Sequence, residues 1–266
     1  MIDIEGFRAY LCEEELAPNT VKSYTYAVQL YAEKHDEITK SGLIAYKQEQ
    51  LAKHKPATVN LRIAAMLAYC RFAKIPMRLK SVKLPLRTNI DNVITPEQLD
   101  TLLRGLALDH NRCWIVNIRL LTKTGMRISE AMRVTKRDIL SGSVTMHTKD
   151  HMRTILFPSA LIDEICGDIA SLSAADLVFR GCDGYPVTPG GVCGSLRWYA
   201  EKYGIPKAVM HPHSFRHFFA IEFLKRRNDI ALLADLLGHS SLDMARIYLR
   251  QSQQQQREAI DSTVDW

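Results

Sequence analysis

His213-Ser214-Phe215-Arg216-His217, then Leu237-Gly238-His239-Ser240-Ser241 and Ile247-Tyr248, form the stretch on which the reading of the chain turns. On a helix, His213 and Arg216 lie three residues apart and face the same way, so an imidazole and a permanent guanidinium are aimed at a common point. Such a pair suits a phosphate. Gly238 can take the left-handed conformation that ends a helix, releasing His239 at the start of the next, where free backbone N–H groups also favour anions. Tyr248 follows nine residues after His239, on a helix predicted over 242–249. Taken singly, each residue has a plainer account: Arg127, further upstream, is a surface charge, His213 a helix cap, and Tyr248 an aromatic half buried in a core. Zinc is another alternative, since His213 and His217 have i, i+4 spacing with His211 nearby. The glutamate of a His-Glu-x-x-His site and any neighbouring cysteine pair are missing.

Working outward, Thr95-Pro96-Glu97-Gln98 begins a domain with a capping box and proline at the first helical position. Helices are predicted from Arg112 to about Lys123, stopping at Gly125, and from Ile128 to Arg133. Ser143 to His147 and Arg153 to Phe157 alternate in polarity, which predicts a two-stranded ribbon with its tip near Lys149 to Met152. Further helices are expected over about Ser159 to Ala170, Thr188 to Lys202, His213 to Lys225 and Ile230 to Leu237. Upstream, Ile4, Phe7 and Leu11 share a helical face, and three more periodic runs start near Pro18, Thr39 and Pro56. The expected fold is mainly α with a small β-sheet (α+β): a helical bundle over 1–75, a basic linker over 76–92, and a larger domain over 93–266.

Around that linker, Lys74, Arg78, Lys80, Lys83 and Arg87 stand without an acid, broken by Pro76 and Pro85. They read as a solvated connector or as a strap along a phosphate backbone. Beyond the polar run Gln251 to Gln256, Ala259, Ile260, Val264 and Trp266 form a tail that is either disordered or a short helix docking on another protomer.

The 266 residues suggest one or two domains, and 47% hydrophobic with 24% charged residues excludes collagen-like and disordered classes. Thirty-five Lys and Arg against 29 Asp and Glu give a charge of +6 and a pI of about 9.0, which favours polyanionic partners. Six scattered cysteines fit buried thiols of a reduced compartment. No signal-like start or long apolar run is present, so a soluble cytoplasmic protein without membrane contact is expected.

Thr124-Gly125-Met126-Arg127-Ile128-Ser129-Glu130 supplies a third block. With His213-x-x-Arg216-His217 and Leu237-Gly238-His239-Ser240-Ser241 before Tyr248, in that order, the chain resembles the tyrosine recombinase, or phage integrase, family. Pro18-Asn19-Thr20-Val21-Lys22-Ser23-Tyr24 is similar to the second helix of that family's core-binding domain. The resemblance covers nearly the whole chain, in the minimal two-domain form without an arm-binding module. It implies a core-binding (SAM-like) bundle and a catalytic domain closing as a C-shaped clamp on double-stranded DNA. Site-specific cleavage and rejoining would pass through a 3'-phosphotyrosyl intermediate, as in integration, excision or dimer resolution.

The resemblance also implies roles. Arg127 and Arg216 clamp the nonbridging oxygens of the scissile phosphate, His239 donates a further hydrogen bond, and Tyr248 attacks phosphorus. His213 assists proton movement and Glu130 orients an arginine; His217, read from its own position and not from the resemblance, is a structural residue beside Arg216. The lysine that protonates the departing 5'-oxygen is assigned to Lys149, with Lys136 and Lys123 as other candidates. Two guanidiniums can play the part of a divalent ion, so neither metal nor cofactor is expected. A homo-tetramer on two sites, joined through exchanged tails, is the expected assembly. The rivals are a noncatalytic DNA-binding protein on the same scaffold and a topoisomerase-like nicking and closing enzyme.

Overall fold

The computed structural model describes residues 2–84, 92–147, 152–181, 183–238, 248 and 261. Lys149 and His239, Arg87, Cys182, the helix expected over 242–249 apart from Tyr248, and nearly all of the tail lie outside the described residues. The chain divides into two compact units, Met1–Leu86 and Arg87–Trp266.

The first unit contains α1 (Ile4–Glu13), α2 (Pro18–Ala32), α3 (Lys40–Lys53) and α4 (Pro56–Phe72). Their starts follow from local chemistry. Asp3 and Thr39 accept hydrogen bonds from the Gly6 and Gly42 amides, while Pro18 and Pro56 occupy first helical positions where no N–H is needed. Phe7, Val28, Tyr31, Leu43, Val59 and Met66 are fully buried between them. Phe7 meets Tyr69 edge to face at 5.1 Å between ring centres.

The basic stretch after α4 is extended, and Ile75, Met77, Leu79 and Val82 pack against this helical core. Arg78 and Lys80 alternate with them to the outside. Asn60 holds the stretch by both ends of its amide, donating to the Val82 carbonyl at 2.9 Å and accepting from the Val82 amide at 2.7 Å. As far as Lys83, therefore, the expected linker lies along the first unit with its apolar side inward; it is not a free connector over that length.

The second unit comprises α5 (Pro96–Leu108), α6 (Arg112–Thr124), α7 (Ile128–Ala131), α8 (Lys136–Leu140), β1 (Ser143–His147), β2 (Met152–Leu156), α9 (Ser159–Ile165), α10 (Pro189–Lys202), α11 (Pro212–Arg226) and α12 (Ile230–Leu237), with a 3₁₀ turn at Lys207–Val209. The capping box at Thr95 and Gln98 is formed. Helix α6 is central: Trp114, Ile115, Val116, Ile118, Leu120 and Leu121 are all buried, and it packs against α5, α9 and α11. The ribbon is antiparallel with Met146 opposite Arg153 and Thr145 opposite Thr154. The described structure is thus mainly helical with one two-stranded sheet.

Three local expectations change. Helix α8 was not anticipated; Thr135 and Asp138 form a second capping box that starts it within a five-residue span. Helix α9 ends at Ile165, where Cys166-Gly167 begins a run of turns, instead of continuing to Ala170. Buried thiols are the exception: Cys70 is buried, while Cys12 and Cys166 are exposed and Cys113 and Cys193 intermediate. No described helix is long and apolar enough to cross a membrane.

Candidate active site

Two glycines shape the site. Helix α6 ends at Gly125 (φ 61°) and α12 at Gly238 (φ 60°), both left-handed, a conformation that carries little steric cost only without a side chain. Each turn exposes carbonyls that the helix itself cannot satisfy. Arginines from elsewhere take them.

At the end of α12, three successive carbonyls are claimed by three different arginines. Leu236 accepts from Arg153 Nη2 at 2.5 Å, Leu237 from Arg216 Nη2 at 2.7 Å, and Gly238 from Arg127 Nη2 at 3.3 Å. Arg216 also donates through Nη1 to the Gly125 carbonyl at 2.6 Å, tying the end of α6 to the end of α12. The negative pole of a helix suits cations, which helps to draw the three together.

Glu130 is the shared counterion. Its side chain is 4% exposed and pairs with Arg127 at 3.0 Å and Arg153 at 2.9 Å. The backbone amide of Arg127 donates to the second Glu130 oxygen at 2.6 Å, fixing the entry to α7. Two guanidiniums thus share one carboxylate while a third, Arg216, is held by carbonyls alone, leaving unneutralised positive charge in a partly dry pocket. Arg216 registers this directly: burial, then repulsion from Arg153 and Arg127, brings its pKa down to about 10. Arg127 remains the more open of the two expected phosphate clamps, with 35% of its side chain exposed, while Arg216 is buried.

Helix α11 presents the imidazoles. His211 caps it, its Nδ1 accepting from the Ser214 amide at 3.1 Å. Ser214 is fully buried, and its Oγ accepts from the Ile94 amide at 2.8 Å, anchoring the start of the unit beside this helix. His213 is exposed on its outer edge; its pKa is lowered by desolvation, then by Arg216, His211 and Arg127. His217, one turn further on, shares a 2.7 Å hydrogen bond between Nδ1 and the Tyr248 hydroxyl. His213 and His217 have ring centres 6.3 Å apart.

Tyr248, like Phe219 and Phe223, packs against the cluster of Ala220, Leu224, Leu233 and Leu237. Burial raises the pKa of its phenol and Arg216 opposes that rise. A neutral phenol with an imidazole on its oxygen and a guanidinium in electrostatic range is an arrangement from which an oxygen nucleophile can be generated.

The expected residues Arg127, Glu130, His213, Arg216, His217 and Tyr248 are therefore brought together, with His217, not His213, bonded to the phenol. Lys149 and His239 are outside the described residues. The two other lysines have partners elsewhere: Lys123 pairs with Glu164, and Lys136 donates to the Ala170 and Leu172 carbonyls at 2.8 and 2.7 Å. Among the described residues, no group of His, Cys, Asp or Glu is arranged to hold a metal ion. Arg153 is the member of the cluster that the sequence reading missed. Its signal was parity: it shares the inward face of β2 with Ile155, and a charged residue at such a position calls for a buried acid.

Residues 92–255 match the model of the phage integrase family. Tyrosine recombinase XerA of Pyrococcus furiosus is 29% identical over 272 residues, spanning 97% of this chain and 92% of that protein. Among solved structures, the Tn1549 transposon integrase in complex with transposon right end DNA shares the fold with a TM-score of 0.75 at 16% identity, covering 99% of each chain. The XerH site-specific recombinase bound to its difH substrate gives a TM-score of 0.68 at 17% identity, covering 91% of this chain and 78% of that one.

Proposed function

The chain belongs to the phage integrase family and is a tyrosine recombinase that cleaves and rejoins DNA site-specifically; from that premise we infer that Tyr248 is its nucleophile and the arginine cluster its phosphate clamp. The reading is carried by one observation: the Tyr248 hydroxyl, 2.7 Å from His217, lies within electrostatic range of Arg216 in a pocket where Arg127 and Arg153 share the one Glu130 carboxylate.

The chemistry follows from charge. A phosphodiester seated against Arg127 and Arg216 gains negative charge on its nonbridging oxygens as the phosphorane forms, and donors already in place stabilise that change. Tyr248 loses its proton along the His217 bond while its oxygen attacks phosphorus. The P–O5' bond breaks, and the departing oxygen takes a proton from Lys149. His213, within electrostatic range of Arg216 and Arg127, and His239 donate to the phosphate. The product is a 3'-phosphotyrosyl bond and a free 5'-hydroxyl. One phosphodiester replaces another, so rejoining runs the same steps backward without an external energy source.

Lys74, Arg78, Lys80, Lys83 and Arg87 supply phosphate contacts to duplex DNA, supported by the outward placement of Arg78 and Lys80 on the extended stretch. The working assembly is a homo-tetramer on two sites, coordinated by the apolar tail residues Ala259, Ile260, Val264 and Trp266. Deleting residues 257–266 is expected to weaken assembly on paired sites more than binding of one protomer to a half-site. Equal losses in mobility-shift titrations of the two states would remove the tail from that role.

The test of the central reading is a suicide duplex whose short fragment bearing the new 5'-hydroxyl diffuses away after cleavage. The wild-type protein should form a covalent adduct and Tyr248→Phe none, with EDTA making no difference. A wild-type protein that binds the duplex without an adduct would point to the noncatalytic reading. An adduct with only single-site relaxation, and no exchanged ends between two duplexes, would point to a nicking and closing enzyme.

A further inference from the structure

We propose that Arg153 is a positioning residue for strand cleavage, acting through Glu130 on Arg127 and through the end of α12 on Arg216. The inference rests on the recombinase reading above. Arg153 does not touch DNA: its side chain is 4% exposed. It reaches the site through what it holds.

Its Nη1 donates to both Glu130 oxygens, at 3.1 and 2.9 Å. Those same oxygens receive Arg127, one from its guanidinium at 3.0 Å and the other from its backbone amide at 2.6 Å. Each carboxylate oxygen is thereby held from two sides, and without Arg153 the Glu130 carboxylate could swing and take Arg127 with it. Nη2 binds the Leu236 carbonyl at 2.5 Å, next to the Leu237 carbonyl that orients Arg216. The stem of Arg153 fills the space over Gly238: a Cβ there would stand 2.5 Å from Arg153 Cδ and 3.2 Å from its Nε. The side chain thus joins the strand that follows the ribbon tip, the Arg127 block and the Leu237-Gly238 block. These are the separated stretches whose convergence makes the site. A lysine would keep the charge but has one nitrogen, unable to span Glu130 and Leu236 in the same way.

The experiment compares wild type and Arg153→Lys in single-turnover cleavage of two suicide duplexes. One carries the native scissile phosphate; the other carries a methylphosphonate, in which a nonbridging oxygen is replaced by methyl and the group is neutral. Reacting at a neutral phosphorus places less demand on an aligned Arg127. Arg153→Lys should bind a half-site within a few-fold of wild type and cleave the native duplex about 100-fold more slowly. Its ratio of methylphosphonate to native cleavage should rise about tenfold or more above the wild-type ratio. Because both rates come from one preparation, the ratio does not depend on how much protein is folded, so a merely structural role leaves it unchanged.

A native rate near wild type, or a slow rate with an unchanged ratio, overturns the proposal. If Arg153→Lys does not fold, the double variant Arg153→Met, Glu130→Gln removes both buried charges while keeping the stem over Gly238, and the same ratio decides. Failure of the wild-type protein to cleave the native duplex would instead sink the recombinase reading.

Discussion

Exchanging Arg216 for lysine is expected to slow strand cleavage about 100-fold or more while leaving half-site binding within a few-fold. The reason is geometric. The two terminal nitrogens of Arg216 are spent on the Gly125 and Leu237 carbonyls, at 2.6 and 2.7 Å, which hold the guanidinium plane at a set angle. Further N–H groups on those nitrogens remain for a phosphate, whereas a lysine ammonium bonded to one carbonyl abandons the other and loses its fixed direction. The surroundings also weigh against lysine. Burial and two neighbouring cations bring Arg216 down to about 10, and the same surroundings would carry a lysine, ordinarily near about 10.4, toward neutrality. Binding is spared because many other phosphate contacts supply it. Single-turnover cleavage beside mobility-shift titration makes the measurement. A cleavage rate within a few-fold of wild type would show that Arg216 is only structural.

Glu130→Ala should cost about 3–5 kcal/mol of stability, the usual penalty for leaving a buried ion without its partner. Arg153 is the stranded group: its guanidinium is 4% exposed and Glu130 is its paired carboxylate. Desolvation already lowers its pKa, with Glu130 the principal influence raising it. In a domain of this size that loss corresponds to a fall in melting temperature on the order of 10 °C. Glu130→Gln, which keeps an acceptor for one arginine, should lose less. Calorimetry of the three proteins tests the order, and equal midpoints for wild type and Glu130→Ala would refute the buried pair as a source of stability.

How much of this could be read beforehand depends on the range of the interactions involved. Helices α1, α2, α3, α4, α5 and α12 are set by neighbours in sequence, and their prolines, capping side chains and apolar spacing are visible in the chain itself. The short α8 escaped because five residues give no periodicity, although Thr135 and Asp138 carried its cap. The alternation of Ile75, Met77 and Leu79 was equally present but hidden beneath the more conspicuous charges of Lys74, Arg78 and Lys80.

At the site, the identities of Arg127, Arg216 and Tyr248 came from ordered motifs, yet what holds the arginines did not. Main-chain carbonyls at Gly125, Leu236, Leu237 and Gly238 have no signature in a string of side-chain letters. Nor could spacing alone decide which histidine meets the phenol: His213 and His217 occupy one face of α11, and only the placement of Tyr248 in the fold brings its hydroxyl to His217.

The row of carbonyls that closes α12 has an evolutionary corollary. Since the arginines grip backbone and not side chains, the identities of residues 236 and 237 are free to drift as far as core packing allows. The number of residues between Asp229 and Gly238 is not: one inserted or deleted within α12 would turn its last carbonyls by about 100° and unseat all three cations together. Lineages descended from such a site should accumulate point changes along this helix while its length stays frozen.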